Sequence, residues 1–126
     1  MEDQKPATLT ARVSEIVVDC QDPEQLATFW SASLGVAVKG QVHEGQTWFA
    51  ALEPIVDGGP IIGFQNVPEG KTAKNRVHLD LKVRDLEEAN DRVIQLGGRQ
   101  VAEHAERGRR WLEMTDPEGN EFCLTL

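Results

Sequence analysis

The sequence predicts an α+β protein in which two tandem βαβββ modules form a curled mixed sheet around a cleft, with the helices on the outer face. Three observations predict this fold: the chain is internally repeated, each half joins a strand pattern to a helix pattern, and polar side chains gather on one strand face. The 126 residues are enough to bury one core. We predict a flexible tail over residues 1–10 and one domain over residues 11–126, made of modules 12–67 and 76–126.

The internal repeat appears when the chain is shifted against itself by 63 residues, half of its length. Seven identical pairs then line up without a gap: Asp22 with Asp85, Glu24 with Glu87, Gly35 with Gly98, Val38 with Val101, Gly45 with Gly108, Trp48 with Trp111 and Pro54 with Pro117. The tryptophan pair is the most informative, because the chain has only three tryptophans. The shift predicts that Trp48 and Trp111 are equivalent.

Each half begins with a strand pattern and continues with a helix pattern. The strand patterns, residues 12–20 and 76–83, are rich in Val, Ile and Leu. Each helix pattern begins at an aspartate N-cap and ends at glycine: Asp22 and Gly35 in the first half, Asp85 and Gly97-Gly98 in the second. About three further strand-like runs, separated by turn residues, follow each helix, and residues 68–75 form the predicted linker.

Strand alternation separates an apolar face, which must cover the helices, from a polar face. The polar face collects six residues: Glu15, Gln65, His78, Asp80, Glu121 and Cys123. The repeat places Glu15 opposite His78 across a pseudo-twofold axis, where an imidazole and carboxylates could hold a divalent metal or transfer protons. The alternative is a polar face that is only solvated, as antiparallel sheets often are.

The remaining aromatic, cysteine and histidine residues have alternative interpretations. Trp48 and Trp111 either line the cleft, with Phe49, or pack at a dimer interface or over the sheet edge. Cys123 is either a metal thiolate or a small packed hydrophobe, and Cys20 belongs to the core. The other two histidines, His43 and His104, are expected in loops facing solvent.

Composition excludes several classes of function. The net charge of −8 and the pI near 4.8 argue against nucleic acid as a partner and favour attraction of cationic small molecules. No apolar run is long enough to span a membrane, so we expect no membrane partner. Two cysteines do not make a disulfide framework, and a cytoplasmic location follows as the default.

The chain resembles the vicinal oxygen chelate superfamily, in particular its glyoxalase-like and bleomycin-resistance-like branch. The likeness spans residues 12–126 and lies in these segments: Glu15-Ile-Val-Val-Asp-Cys-Gln-Asp-Pro, Phe29-Trp30, Leu34-Gly35, Arg76-Val-His-Leu-Asp-Leu and Asp116-Pro-Glu-Gly-Asn-Glu-Phe-Cys-Leu. The resemblance implies two βαβββ modules around a cleft, often in homodimers. It also implies that metal-using relatives place one ligand on the first and one on the last strand of each module.

The ligand positions implied by the resemblance are incompletely filled. They fall on Glu15 and His78 in the first strands, and on about Gly63 and on Cys123 in the last strands. Gln65 and Glu121 are the nearest polar residues on those two last-strand faces. The resemblance therefore implies no complete metal site, and only one histidine on the inner face disfavours an iron centre of the facial-triad type.

Three functions follow from these features. The first is a protein that needs no cofactor and sequesters an aromatic or cationic compound, with these ligand-binding residues: Trp48, Phe49, Gln65, Asp80, Trp111 and Cys123. The second is a metal-dependent lyase or isomerase of the glyoxalase type, with Zn, Ni, Mn or Fe held by Glu15, His78 and Glu121. The third is a metal-free enzyme in which His78 and Glu121 or Glu15 act as catalytic acid and base.

Overall fold

The computed structural model describes residues 7–126, of which residues 7–14 form no helix or strand, and the rest of the predicted tail lies outside the described residues. Ten elements follow in chain order: β1 (Glu15–Cys20), α1 (Pro23–Leu34), β2 (Val38–Glu44), β3 (Thr47–Leu52), β4 (Ile61–Asn66), β5 (Leu79–Lys82), α2 (Leu86–Gln95), β6 (Arg99–Glu106), β7 (Arg109–Thr115) and β8 (Glu121–Thr125). Neither helix is long and apolar enough to cross a bilayer.

The predicted α+β fold of two βαβββ modules is confirmed, and each module forms its own four-stranded sheet. The strand orders are β1-β4-β3-β2 and β5-β8-β7-β6. In both sheets the first strand runs parallel to the last, and the other neighbours are antiparallel. The sheets are therefore mixed. The first strand of each module forms one edge of its sheet.

The distance from the N-cap aspartate to the left-handed glycine after the helix differs by one residue between the modules, although α1 has 12 residues and α2 has 10. The side chain of Asp22 accepts a hydrogen bond from the Gln25 amide, and Asp85 accepts one from Glu88, each at 3.0 Å. The left-handed glycine that follows α1 is Gly35, thirteen residues after its cap. After α2 the corresponding glycine comes twelve residues after the cap, at Gly97. The repeat therefore changes from a shift of 63 to a shift of 62 beyond the helices.

This change of shift overturns the predicted equivalence of the two tryptophans. The β2–β3 and β6–β7 hairpins each have a two-residue turn. At the same distance from the turn, His43 pairs with Trp48 in the first module and Ala105 pairs with Arg110 in the second. The counterpart of Trp48 is therefore Arg110, and the counterpart of Trp111 is Phe49. A shift of one residue along a strand exchanges the two faces, so Trp48 and Trp111 point to opposite sides of their sheets.

One hydrophobic core lies between the helices and the sheets and joins the two modules. Its largest fully buried members include Leu26, Leu52 and Phe64 from the first module and Leu86, Leu112, Met114, Phe122 and Leu124 from the second. The ring of Phe122 packs edge-on against Trp30 at 4.9 Å and Phe29 at 6.2 Å between centroids. Cys20 belongs to this core, which confirms its prediction.

The turn between β7 and β8 holds the second module to the first through hydrogen bonds. Asp116 is 2% exposed, and its carboxylate accepts a hydrogen bond from the indole N–H of Trp30 at 3.1 Å. The Glu118 carboxylate accepts from the backbone amides of Gln21 and Asp22, both at 2.8 Å. The start of α1 is thus fixed by side chains from the opposite module.

Candidate functional site

Each sheet has a face turned away from its helix, which we call the first open face and the second open face. Strand register assigns the first open face to Glu15, Val17, Phe49, Ala51, Gly63 and Gln65. It assigns the second open face to Asp80, His104, Trp111, Glu113, Glu121 and Cys123, with His78 directly before β5. The first open face is largely apolar, whereas the second contains most of the reactive side chains.

On the first open face, Glu15 is the reactive group. Its Oε2 atom is buried and has no hydrogen-bond partner among the described residues. The carboxylate lies over Gly63 and against the ring of Phe49, where any Cβ at position 63 would collide with both side chains. Gly63 therefore supplies space for Glu15 rather than a ligand atom. Gln65, on the same strand, is exposed and lies opposite Phe49.

On the second open face, His78, Asp80 and Cys123 form one cluster. The His78 Nε2 atom lies 3.3 Å from an oxygen of Asp80, and Asp80 pairs across the strands with Cys123. One potential ligand atom from each residue lies within 4.8 Å of the other two, and residues 7–126 contain no other such group of three. Burial raises the pKa of the Cys123 thiol, and the negative charges of Asp80 and Glu113 add to the effect.

Beside this cluster lies a second group that the sequence analysis missed. The Nε2 atom of His104 lies 3.1 Å from an oxygen of Glu113, and the imidazole stacks on Trp111 with centroids 5.2 Å apart and planes 17° apart. His104 was expected in a loop but lies in β6, so the second open face has a histidine beyond His78. The two-residue turn at Arg107-Gly108 is the sequence signal that places His104 opposite Trp111.

Glu121, which the sequence assigns to the polar face, is bonded to the linker between the two modules. Its carboxylate accepts a hydrogen bond from the Asn75 amide at 2.9 Å and lies 3.1 Å from the Lys71 ammonium. Burial acts to raise the pKa of Glu121, but these hydrogen bonds outweigh it and lower the pKa from its ordinary value. The carboxylate therefore holds the linker, and neither Glu121 nor Glu15 belongs to the His78 cluster.

Trp48 lies on the helix-facing side of β3, with Ala50 and Leu52. Its ring stacks on His43 with centroids 4.3 Å apart, and its indole N–H is buried without an acceptor in residues 7–126. His43 lies in β2, not in a loop as expected. This stack is on the opposite side of its sheet from the first open face.

A groove of about 360 Å³ opens between β1 and β5, where the edges of the two sheets approach each other. Val17, Asp19 and His78 line it, together with the linker residues that Glu121 holds. Glu15 does not line this groove. Of the two residues that the repeat places opposite each other, only His78 therefore reaches the space between the modules.

The protein has two curled mixed sheets, each built from one βαβββ module and each with one open face. This is the architecture of the vicinal oxygen chelate superfamily. A family profile described as "Glyoxalase-like domain" matches residues 15–125. The chain therefore belongs to the glyoxalase-like domain family, as its sequence motifs predicted. No curated protein matches the chain.

Solved structures show the same fold at low sequence identity. FosX, a fosfomycin resistance protein from Mesorhizobium loti, is 14% identical with a TM-score of 0.70, covering 94% of this chain and 92% of its own. A FosX mutant from Listeria monocytogenes, complexed with Mn(II) and 1S,2S-dihydroxypropylphosphonic acid, is 15% identical with a TM-score of 0.73, covering 94% and 93%. A glyoxylase/bleomycin resistance protein/dioxygenase domain from a Frankia species is 17% identical with a TM-score of 0.68, covering 94% and 98%.

Proposed function

We propose that this protein binds a small aromatic or cationic molecule on its second open face. The observation that supports this most directly is Trp111, which presents a flat aromatic surface beside the carboxylate of Glu113. An aromatic wall with a few placed polar groups is the usual composition of a small-molecule site. Asp80 and the net charge of −8 add long-range attraction for a cation.

The charge of this face also separates the protein from its phosphonate-binding neighbours. The Listeria FosX structure contains an anionic phosphonic acid and Mn(II). Here Glu113 and Asp80 flank Cys123 on either side, and their effect on this thiol exceeds the opposite effect of Lys74, so the local charge would disfavour a phosphonate. A ligand that is neutral or positively charged fits the second open face better.

The proposal is tested by tryptophan fluorescence, with a panel of aromatic compounds of different charge titrated into the wild type, Trp111→Phe and Trp48→Phe. We expect Trp111→Phe to lose most of the quenching and to weaken binding about 2–5-fold, because phenylalanine keeps an aromatic ring but offers a smaller and weaker stacking and cation–π surface than tryptophan. Trp48→Phe is the matched control, because Trp48 lies on the other side of its sheet. Equal effects of the two substitutions, or no binding of any compound, would refute the proposal.

A metal-dependent lyase or isomerase is the second candidate, supported by the cluster of His78, Asp80 and Cys123. One sulfur, one nitrogen and one oxygen donor suit Zn²⁺ better than Mn²⁺, which prefers oxygen ligands. These three residues would hold the ion, in place of the set Glu15, His78 and Glu121. A bound ion would supply Lewis-acid polarisation of a substrate oxygen.

Cobalt substitution separates the two candidates, since a cobalt–thiolate bond gives a charge-transfer absorption band. We expect Co²⁺ to give this band in the wild type and in Cys20→Ser but not in Cys123→Ser, if the cluster holds a metal. Cys20 is the matched control because it is buried in the core, where its pKa is raised to about 12. No band in the wild type excludes the metal candidate and leaves the binding proposal intact.

The third hypothesis, a metal-free enzyme with His78 as acid–base residue, has less support from the geometry. Glu121 holds the linker, and Asp80 is the carboxylate that contacts His78.

We further propose that the protein is a homodimer in the cytoplasm. Both cysteines are unpaired, which agrees with a reducing compartment. Light scattering coupled to size-exclusion chromatography measures the oligomeric state directly.

A further inference from the structure

His104 contacts both Trp111 and Glu113, the two residues to which the proposed ligand of the second open face would bind. Its ring lies 17° from the plane of Trp111, and its Nε2 atom is 3.1 Å from the Glu113 carboxylate. Stacking on an indole and a hydrogen bond to a carboxylate are two contacts that a flat group with an N–H donor can make at once. Both contacts are now made by a side chain of the protein itself.

The carboxylate in this arrangement is not neutralised by the neighbouring basic residue. Arg110, adjacent to Trp111 in sequence, points to the other side of β7 and pairs with Glu87 and Glu103. Across the strands, Glu113 faces the uncharged thiol of Cys123, with Asp80 beyond it. Arg109, on the same face of β7 as Trp111, pairs across the strands with Glu106, and Lys74 acts on the Cys123 thiol more weakly than Asp80 and Glu113 do. No Lys or Arg of residues 7–126 forms a salt bridge with Glu113, so its carboxylate is free to favour a positively charged donor over a neutral one.

The first module offers an internal comparison. His43 stacks on Trp48 with nearly parallel planes, but no carboxylate of residues 7–126 bonds to His43. A histidine stacks on a tryptophan in both modules. Among residues 7–126, only the stack on the second open face also has a carboxylate bonded to the histidine. The combination of an aromatic face with a carboxylate, which together could bind a planar cation, is thus specific to the second module.

We infer that the second open face selects planar cations that have an N–H donor, such as amidines and protonated nitrogen heterocycles, and that His104 competes with them for Trp111 and Glu113. The inference rests on the proposed function and specifies its ligand class. His104 is partly exposed, with a side-chain accessibility of 41%, so the imidazole can swing aside without rearranging the core.

The test uses benzamidine, a planar cation with N–H donors, and benzamide, its neutral analogue of nearly the same shape. Dissociation constants are measured by calorimetry for the wild type, His104→Ala, Glu113→Gln and His43→Ala. We expect benzamidine to bind about tenfold or more tightly than benzamide, and Glu113→Gln to remove most of that preference. His104→Ala should strengthen benzamidine binding about 3–10-fold, because it removes the internal competitor.

Two controls, the additional variant His104→Gln and the variant His43→Ala, keep the result interpretable. His104→Gln retains an N–H donor for Glu113 but no flat ring, so its affinity for benzamidine should lie between the wild type and His104→Ala. His43→Ala should leave both dissociation constants unchanged, because its stack lies on the opposite side of the other sheet. Circular dichroism of each variant verifies that the fold is retained.

The results that overturn the inference differ from those that overturn the proposed function. Weaker benzamidine binding in His104→Ala would make His104 a ligand contact rather than a competitor, and equal binding of benzamide would exclude cation selection. Either result, or no binding of both probes while other aromatics still quench Trp111, rejects the inference alone. Absence of any Trp111-dependent binding rejects both.

Discussion

Two glutamates that the sequence assigns to the same predicted site have different surroundings in the structure. Glu15 has a buried carboxylate oxygen without a partner, in contact with Gly63 and Phe49. Glu121 is bonded to the linker through Asn75 and Lys71. Residue type alone indicates what chemistry is available, but the neighbours decide whether a carboxylate is free to act or holds a loop in place.

At the residue scale, Glu121→Gln should lower the free energy of unfolding at pH 7 and should make that free energy less dependent on pH. The folded-state pKa of Glu121 is below its ordinary value of 4.5, so its contribution is fully present above that pH and is lost as pH falls through the folded value. We expect a loss of about 1–2 kcal/mol at pH 7, typical of hydrogen bonds to a charged group. Urea unfolding between pH 7 and pH 3 measures both effects.

The control is Glu103→Gln. The pKa of Glu103 is also lowered, through its hydrogen bond and charge interaction with Arg110, but this carboxylate is fully exposed. Solvent screens such pairs, and their contribution to stability is small. If both substitutions had the same effect on stability, the linker contacts of Glu121 would not be the cause.

At the scale of the elements, a difference of one residue between the helix cap and the glycine after the helix decides which residues of the two modules correspond on the open faces. The caps of α1 and α2 lie thirteen and twelve residues from their left-handed glycines, and the hairpins that follow keep this difference. As a result Phe49, not Trp48, is the counterpart of Trp111. Strand side chains alternate with a period of two, so a difference of one residue suffices to change the face.

The second hairpin contains strain that a single substitution should relieve. Arg107 is the only non-glycine residue of 7–126 with a positive φ, 54°, and it occupies the first position of a two-residue turn before Gly108. Asparagine tolerates this left-handed conformation better than arginine does, and Asn-Gly is the preferred pair for such turns. We expect Arg107→Asn to stabilise the fold by about 0.5–1 kcal/mol and to raise Tm, as measured by thermal unfolding.

Gln46→Asn serves as the comparison for this hairpin. Gln46 follows Gly45 in the turn of the first hairpin, and its φ is not in the positive region. The substitution should leave Tm nearly unchanged. An equal gain at both positions would mean that asparagine stabilises by some route other than relief of backbone strain.

At the scale of the whole molecule, the two modules are joined by a shared core and by the turn between β7 and β8. Both oxygens of Asp116 accept hydrogen bonds, from the Trp30 indole, the backbone amides of Glu118 and Asn120, and the Asn120 side chain. A buried carboxylate is stable only when such donors compensate for its lost hydration. This turn therefore fixes the start of α1 relative to the second sheet.

Asp116→Asn should destabilise the molecule by about 2–4 kcal/mol, because an amide would direct a donor group at the donors around it. Chemical denaturation, with one transition reported by fluorescence and by circular dichroism, measures the loss. Asp22→Asn is the matched control, since asparagine caps a helix as well as aspartate does and the expected change is below about 0.5 kcal/mol. Similar losses for both substitutions would disprove the role of Asp116 between the modules.

Much of the fold could be predicted because local patterns determine it. Aspartate caps and terminal glycines define both helices, and strand periodicity assigns Cys20, Phe64 and Phe122 to the core. The candidate site was predicted only in part: His78, Asp80 and Cys123 were assigned to one face, whereas His104 was expected in a loop. Its position depends on the exact hairpin register, which a gapless repeat misplaced by one residue.

The sequence by itself determined the two-module architecture, the helix ends and the apolar faces, because these follow from contacts between residues close along the chain. Only the tertiary structure decided that Glu121 bonds to the linker, that Glu15 has no partner and that His104 lies between Trp111 and Glu113. These relations depend on loop paths and strand register across the sheets. A difference of one residue in strand register exchanges the two faces of a strand without changing its pattern of apolar and polar residues, so the pattern alone cannot specify these contacts.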